Sequence, residues 1–318
     1  MAKILVIGAV GQIGTELTVA LRRKYGGKNV VAATRKTAFP PEIADGGPCE
    51  YFDVLEKGKM ASVVKKYGID TIYQLASLLS ATGEKNPDLA FEINLIGLKN
   101  TLDVARECGV KKIFWPSSIA AFGPTTPRER TPQRTVLEPT TMYGVTKVAG
   151  ELLCQYYSRK YGLDIRSVRY PGLISHKAEP GGGTTDYSVA IFYEAIKNKS
   201  YKCFVGPQTV LPMMYMPDAI RGTIELMEAP AEKITVRTSY NLAAISFSAK
   251  ELADEVARLI PGFTCTYEPD SRQQIADSWP KSIDDSQARR DWGWKHEYGL
   301  AKMSEDMVKN LLPKLLGK

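Results

Sequence analysis

Three side chains of this 318-residue chain have the types and spacing for proton transfer. Tyr143 precedes Lys147 by one helical turn in TTMYGVTKVAGELL, residues 140–153. On a helix, positions i and i+4 share a face. An ammonium beside a phenol stabilises the phenolate, and so makes a usable base of a group whose ordinary pKa is about 10. Upstream, IFWPSS ends in Ser117-Ser118. A serine at that place can hydrogen-bond a substrate hydroxyl and hold it in line for attack. Each feature also has an ordinary reading. A Tyr–Lys pair is commonly a helix-face contact, and a serine at a strand end is commonly a turn residue. Chemistry requires elements that bring the three together.

Those elements begin at the N-terminus. KILVIGA (3–9) is an apolar, β-branched run that reads as a buried parallel strand, and QIGTELTVALRRKYG (12–26) has helical spacing. Between them Gly8, Gly11 and Gly14 form G-x-x-G-x-x-G. With Gln12 and Ile13 they make a tight turn into a helix N-terminus, which suits the pyrophosphate of a dinucleotide. NVVAATR (29–35) is the second strand. An acid at its end would take the adenosine ribose hydroxyls, but Thr34 and Arg35 stand there. Arg35 can pair with a 2′-phosphate, which favours NADP, or stack on adenine, which leaves NAD usable. Asp53 is placed to bond the adenine amino group and Val54 to pack on the ring. Leu75 and Ala76, after the strand DTIYQLA (70–76), should pass near the pyrophosphate and ribose.

Further on, a long helix runs from Pro87 to Cys108, VKKIFWPSS (110–118) is a strand, the Tyr143 helix reaches about residue 161, and LDIRSVRYP (163–171) is again a strand. This alternation predicts an α/β fold: a Rossmann-type doubly wound parallel sheet with a smaller C-terminal substrate lobe. The expected division is 1–175 for the dinucleotide domain, with a return at about 215–240, and 176–318 for the lobe. Composition agrees with a globular enzyme, 44% hydrophobic and 24% charged. The net charge of +7, from 42 basic and 35 acidic residues, is scattered. It predicts no nucleic-acid or membrane arm. MAKILVIGAVGQIG runs straight into the glycine motif, which predicts neither a leader nor a span. Five cysteines without a CxxC pair and only two histidines argue against a disulfide framework, a metal site and a Ser-His-Asp triad, and reduced thiols favour the cytoplasm.

Taken in order, GAVGQIG, the LA pair at 75–76, SIAAFG, YGVTK, RYPG (169–172) and MYMPDAI resemble the extended short-chain dehydrogenase/reductase family, NAD-dependent epimerases and dehydratases included. PGGGTTDY and LPMMYMPD narrow the resemblance to the short-chain-type L-threonine 3-dehydrogenases. The resemblance implies an NAD-dependent homodimer that oxidises L-threonine to 2-amino-3-oxobutyrate. It makes Tyr143 the base, Ser118 its orienting partner, Lys147 also a ligand of the nicotinamide ribose, and Tyr170 a cofactor neighbour. Many members carry Asp where this chain has Thr34, so NADP stays open as the cofactor. For the substrate, Thr184 and Thr185 are expected to bond the carboxylate, Asp186 the ammonium, Ser80 the opposite wall, and Met214 and Trp279 to close the pocket. The plainer readings are a surface loop with Asp186 capping the next helix, and Trp279 as packing. Dimer contacts are expected on helices 87–107 and 143–161. The same triad would also serve a nucleotide-sugar epimerase or dehydratase. A redox-sensing regulator on this fold would often lack the tyrosine or the lysine.

Overall fold

The computed structural model describes residues 2–181 and 183–317; Met1, Gly182 of the GGGTTD loop and Lys318 lie outside the described residues. Its strands in chain order are β1 (Ile4–Ile7), β2 (Val30–Thr34), β3 (Cys49–Tyr51), β4 (Thr71–Gln74), β5 (Lys112–Ser118), β6 (Asp164–Tyr170), β7 (Gly172–Ile174), β8 (Ser200–Cys203), β9 (Val210–Tyr215), β10 (Tyr240–Asn241), β11 (Ile245–Ser248) and β12 (Thr264–Tyr267). Continuous apolar runs such as ILVI and VVAAT are buried at every position, as strands covered on both faces must be. Among the described residues they build a seven-stranded sheet of order β10-β6-β5-β4-β1-β2-β3, with β1–β2, β1–β4, β2–β3 and β4–β5 parallel. The order reverses between β1 and β4, the place where a doubly wound sheet opens a crevice at its carboxyl ends.

Two compact units divide the chain. The first is Met1–Ser118, Thr141–Arg169 and Ile220–Tyr240; the second is Ile119–Thr140, Tyr170–Ala219 and Asn241–Lys318. The expected boundary is therefore corrected at two places: residues 119–140 and 170–175 belong to the second unit. The cause is long-range bonding that no local pattern reveals. The Thr131 N–H donates to the Ser282 carbonyl at 3.0 Å, and Asn241 Nδ2 donates to the Thr131 carbonyl at 3.1 Å.

In the first unit, Leu5, Ile7, Val31, Ile72 and Trp115 of the sheet pack on Val63, Leu98 and Leu102 of helices Lys57–Tyr67 and Gly97–Cys108. Leu98, Thr101, Leu102 and Ala105 give the latter helix its buried stripe. The single helix expected over 87–108 is helical throughout, but with a π-helical turn, Glu92–Ile96, between Pro87–Phe91 and Gly97–Cys108. The second unit holds a three-stranded sheet β11-β9-β7 and the parallel pair β12-β8. Helices Tyr187–Asn198, Ala249–Leu259 and Leu300–Leu316 belong to it. A capping box, Ser248 with Glu251, starts the second of these helices.

Candidate active site

The helix of the proposed catalytic pair, Met142–Tyr161, starts at a fixed point. The Thr141 hydroxyl is its N-cap, accepting from the Gly144 N–H at 3.1 Å, and Glu84 accepts from the Met142 N–H at 2.7 Å. Tyr143 and Lys147 therefore stand on its first turns, against the end of β5. Ser118, the last residue of β5, hydrogen-bonds the Tyr143 phenol through its side chain. Lys147 donates its Nζ to the Pro116 carbonyl at 2.7 Å. The ammonium also lies 4.7 Å from the Trp115 ring centre and 5.2 Å from that of Tyr143, within cation–π reach of both. The three residues singled out from the sequence are thus one cluster inside the first unit.

Burial dominates the electrostatics of this cluster. Lys147 is 2% exposed, and burial pulls its ammonium down to about 7, opposed by the neighbouring Cys154 and Glu151 side chains. The Tyr143 ring keeps some accessible surface, but its hydroxyl sits among densely packed atoms. Burial there pushes the phenol up to about 12, and the Ser118 hydrogen bond opposes the rise. Desolvation disfavours both ions; the expected lowering of the phenol rests on Lys147 together with the positive charge of an oxidised nicotinamide.

The glycine turn after β1 is tight. Gly8 takes φ of +83°, and a Cβ on it would lie 2.8 Å from the Ala76 backbone nitrogen. Leu75 and Ala76, leaving β4, thus cross the turn with no room for a side chain. A Cβ on Gly14 would come within 2.1 Å of the Gly8 carbonyl oxygen. Gly11 is the N-cap of helix Gln12–Tyr25 and offers no side-chain cap, so the first-turn N–H groups of the helix are directed at whatever anion sits there. This cradle fits a dinucleotide pyrophosphate. Thr34 closes β2 and is buried, while Arg35 is exposed and pairs loosely with Asp53 at 3.7 Å. Asp53 also accepts from the Leu55 N–H. Val54, expected to pack on the adenine ring, is part of the buried core cluster, where a Cβ on Gly97 would meet it at 2.0 Å.

Residues expected to hold substrate fall in both units. In the first, Ser80 opens helix Ser80–Lys85 and is buried. In the second, Thr184 is 1% exposed and its hydroxyl has no partner among the described residues. Thr185 packs on β7, where a Cβ on Gly172 would come within 2.8 Å of its Cγ2 and 2.3 Å of Met213 Sδ. Asp186 does not cap its helix through its side chain. Its Oδ2 instead accepts from the Gly181 and Gly183 N–H groups, at 2.6 and 2.8 Å, and so ties the glycine loop. Met214 and Trp279 are both buried, and Tyr170 is buried at the end of β6. His176 bonds the Tyr215 hydroxyl through Nδ1 at 2.8 Å. Among the described residues no histidine, cysteine and carboxylate cluster could hold a metal ion.

Sequence reasoning missed Asn94. It sits in the π-helical turn, a feature frequent at functional sites. Its Oδ1 accepts from the Ser77 hydroxyl and the Leu78 N–H, and its Nδ2 donates to the Leu78 carbonyl and the Thr146 hydroxyl. One amide thereby joins the chain leaving β4 to the catalytic helix. An asparagine inside the apolar stretch EINLIG was the signal available.

The sequence matches the NAD dependent epimerase/dehydratase family over residues 4–243. A relative from Staphylococcus haemolyticus, an uncharacterized epimerase/dehydratase, is 49% identical over 310 residues, 97% of each chain. Among solved structures, the holo form of a GalE-like L-threonine dehydrogenase from Cupriavidus necator is 54% identical with a TM-score of 0.94, covering 97% of this chain and 99% of that one. L-threonine dehydrogenase from Clostridium difficile is 50% identical with a TM-score of 0.96, covering 100% and 99%. A metagenomic L-threonine 3-dehydrogenase described as monomeric is 46% identical, with a TM-score of 0.94 over 98% and 99%. With that match across its glycine turn, its serine strand and its Tyr–Lys helix, the chain belongs to the NAD-dependent epimerase/dehydratase family.

Proposed function

We propose that the protein oxidises the 3-hydroxyl of L-threonine to a ketone, giving 2-amino-3-oxobutyrate, with NAD as acceptor. The observation that carries this reading is the Ser118–Tyr143–Lys147 cluster at the end of β5. It occurs in a chain whose full-length structural relatives at 50–54% identity are described as L-threonine dehydrogenases. Those relatives favour threonine over the nucleotide-sugar reading, which would use the same triad. Bound NAD supplies a hydride acceptor at its nicotinamide ring and a positive charge beside the phenol. Gly8, Gly11, Gln12, Ile13 and Gly14 would hold its pyrophosphate. Leu75, Ala76, Asp53, Arg35, Lys147 and Tyr170 are its further proposed neighbours.

The protein's own groups move the proton. Ser118 holds the substrate hydroxyl, and Tyr143 takes its proton as the C–H bond of the same carbon gives up hydride. Burial holds the phenol above its ordinary value, and positive charge near it favours the phenolate. Lys147 then supports the phenolate from the far side of the ring. Thr184, whose hydroxyl has no partner among the described residues, and Thr185 are proposed donors to the threonine carboxylate, and the Asp186 carboxylate an acceptor for its ammonium. Ser80, Met214 and Trp279 complete the proposed set.

The assay is the near-ultraviolet absorbance of reduced nicotinamide, with L-threonine and NAD or NADP in turn. Absence of signal with both cofactors sinks the reading; turnover with NADP would assign Arg35 to a 2′-phosphate. Tyr143→Phe should lose about 10²–10⁴-fold in kcat and keep cofactor affinity. A homodimer is proposed through Val145, Leu152 and Tyr156 of the catalytic helix with Leu89, Phe91 and Ile96, all exposed apolar side chains. A monomer by light scattering, the state described for one relative, would remove it. The cytoplasm is the proposed location, since all five cysteines are unpaired; secretion of the tagged protein would count against it. No helix among the described residues is long and apolar enough to cross a membrane.

A further inference from the structure

Three consecutive residues of β5 are tied to one face of the catalytic helix. The Pro116 carbonyl accepts from Lys147 Nζ at 2.7 Å, the Ser117 hydroxyl donates to Glu151 Oε1 at 2.6 Å, and the Ser118 side chain hydrogen-bonds Tyr143. Residues 143, 147 and 151 are successive i+4 positions, so they form one line along the helix. Gly150 brings helix and strand together, because a Cβ there would lie 2.4 Å from Trp115 Cη2. Two of these ties involve the reacting groups. The third does not.

That third tie has an unusual composition. Glu151 is 1% exposed, Ser117 2% and Arg169 3%. Arg169, on β6, donates its Nε to Oε1 at 2.8 Å and its Nη2 to Oε2 at 2.7 Å. A buried carboxylate is costly unless every lone pair finds a donor, and well-packed apolar side chains would serve stability at least as well. None of the three groups touches the phenol, and the proposed reaction uses none of them. We propose that Glu151 is a positioning residue for the threonine-oxidising site, which rests on the function proposed above. It fastens β5 and β6 to the catalytic helix, so that Pro116 and Ser118 stand at the correct height against Lys147 and Tyr143.

Ser117→Ala removes one donor and leaves the Glu151–Arg169 pair whole, so the fold should persist. The expected result is a loss of about tenfold in kcat, since sub-ångström errors in a reacting pair are worth that much. KM for L-threonine and NAD, and NADH affinity by fluorescence, should stay within about twofold of wild type. Ser117→Thr, which keeps the hydroxyl, should restore kcat to within about threefold. Glu151→Gln still offers Ser117 an acceptor but cannot take both Arg169 donors, and should lose at least as much. A purely structural role predicts lower melting temperatures with kcat unchanged in the folded fraction. Folded Ser117→Ala at wild-type kcat, Ser117→Thr no better than Ser117→Ala, or folded Glu151→Gln at wild-type kcat each overturns the proposal. The serine pair decides the matter even where Glu151→Gln does not fold. Wild-type turnover is the control: without it the threonine reading fails, whereas active wild type with undiminished Ser117→Ala removes only the positioning role.

Discussion

Replacing Lys147 with methionine tests whether burial governs this site. Burial pulls the ammonium from 10.5 to about 7. Each unit is worth about 1.4 kcal/mol between protonation states. At pH below that folded value, folded and unfolded chains both carry the proton, and the wild-type fold bears the whole penalty, on the order of 5 kcal/mol. Methionine has a similar reach and no charge to desolvate. It also deletes the bond to the Pro116 carbonyl, and a buried acceptor left bare costs about 1–3 kcal/mol. Cofactor-free Lys147→Met should therefore be about 2–4 kcal/mol more stable than wild type near pH ~6. The pH dependence is the sharper signature. Between the folded and unfolded pKa values the unfolded chain binds more protons than the folded one. Raising the pH through that window thus stabilises folded wild type by up to about 1.4 kcal/mol per unit, a gain that the variant does not share. Denaturant unfolding of both proteins from about pH 6 to 9 should show the variant's advantage shrinking by about 3 kcal/mol. A variant less stable than wild type at the acid end, or a difference that ignores pH, would refute the reasoning. Turnover should be lost throughout.

Gly14→Ala places a methyl within 2.1 Å of the Gly8 carbonyl oxygen, so NADH affinity by fluorescence should fall by about tenfold or more; unchanged affinity would dismiss the cradle. Gly172→Ala drives a methyl against Thr185 and Met213. KM for L-threonine should rise by about fivefold and KM for NAD should stay put, and the reverse pattern would move Thr185 out of the substrate set. Burial pushes Tyr143 up to about 12, so its base form is scarce at neutrality and grows with pH. Initial rates of threonine oxidation should climb across about pH 7 to 9, and a flat profile would contradict a tyrosine base.

How much of this was legible in the sequence depends on the range of the interaction. β1 and β2 are nearly continuous apolar runs, and β4, β5 and β6 are short β-branched or aromatic stretches between helical segments, so local pattern reveals all five. The Tyr143–Lys147 spacing is local, and so is the glycine turn. β3 is three residues of a half-exposed sheet edge, too short to show a pattern. Segment 119–140 has no periodicity at all; its place follows from a backbone bond to Ser282 and a side-chain bond from Asn241. Val54 was legible as apolar but not as to direction, because the gap at Gly97 that receives it lies on another element. The electrostatic balance is hidden for a similar reason. Charge type can be read from residue identity, but depth cannot, and depth decides whether Lys147 and Tyr143 ionise.

Depth also explains why the helix carries both Lys147 and Glu151 one turn apart without letting them pair. Glu151 on its own would be the natural counter-ion for a buried ammonium at i+4. Arg169 and Ser117 fill its two oxygens with three donors instead, leaving Lys147 with a neutral carbonyl and two aromatic rings. A carboxylate bonded to Lys147 would cancel the positive charge that the phenolate needs, and would draw the amine away from the Tyr143 ring. The buried pair beside it therefore keeps the carboxylate from bonding the ammonium directly, and a charge left in place there is what the proposed tyrosine base would need.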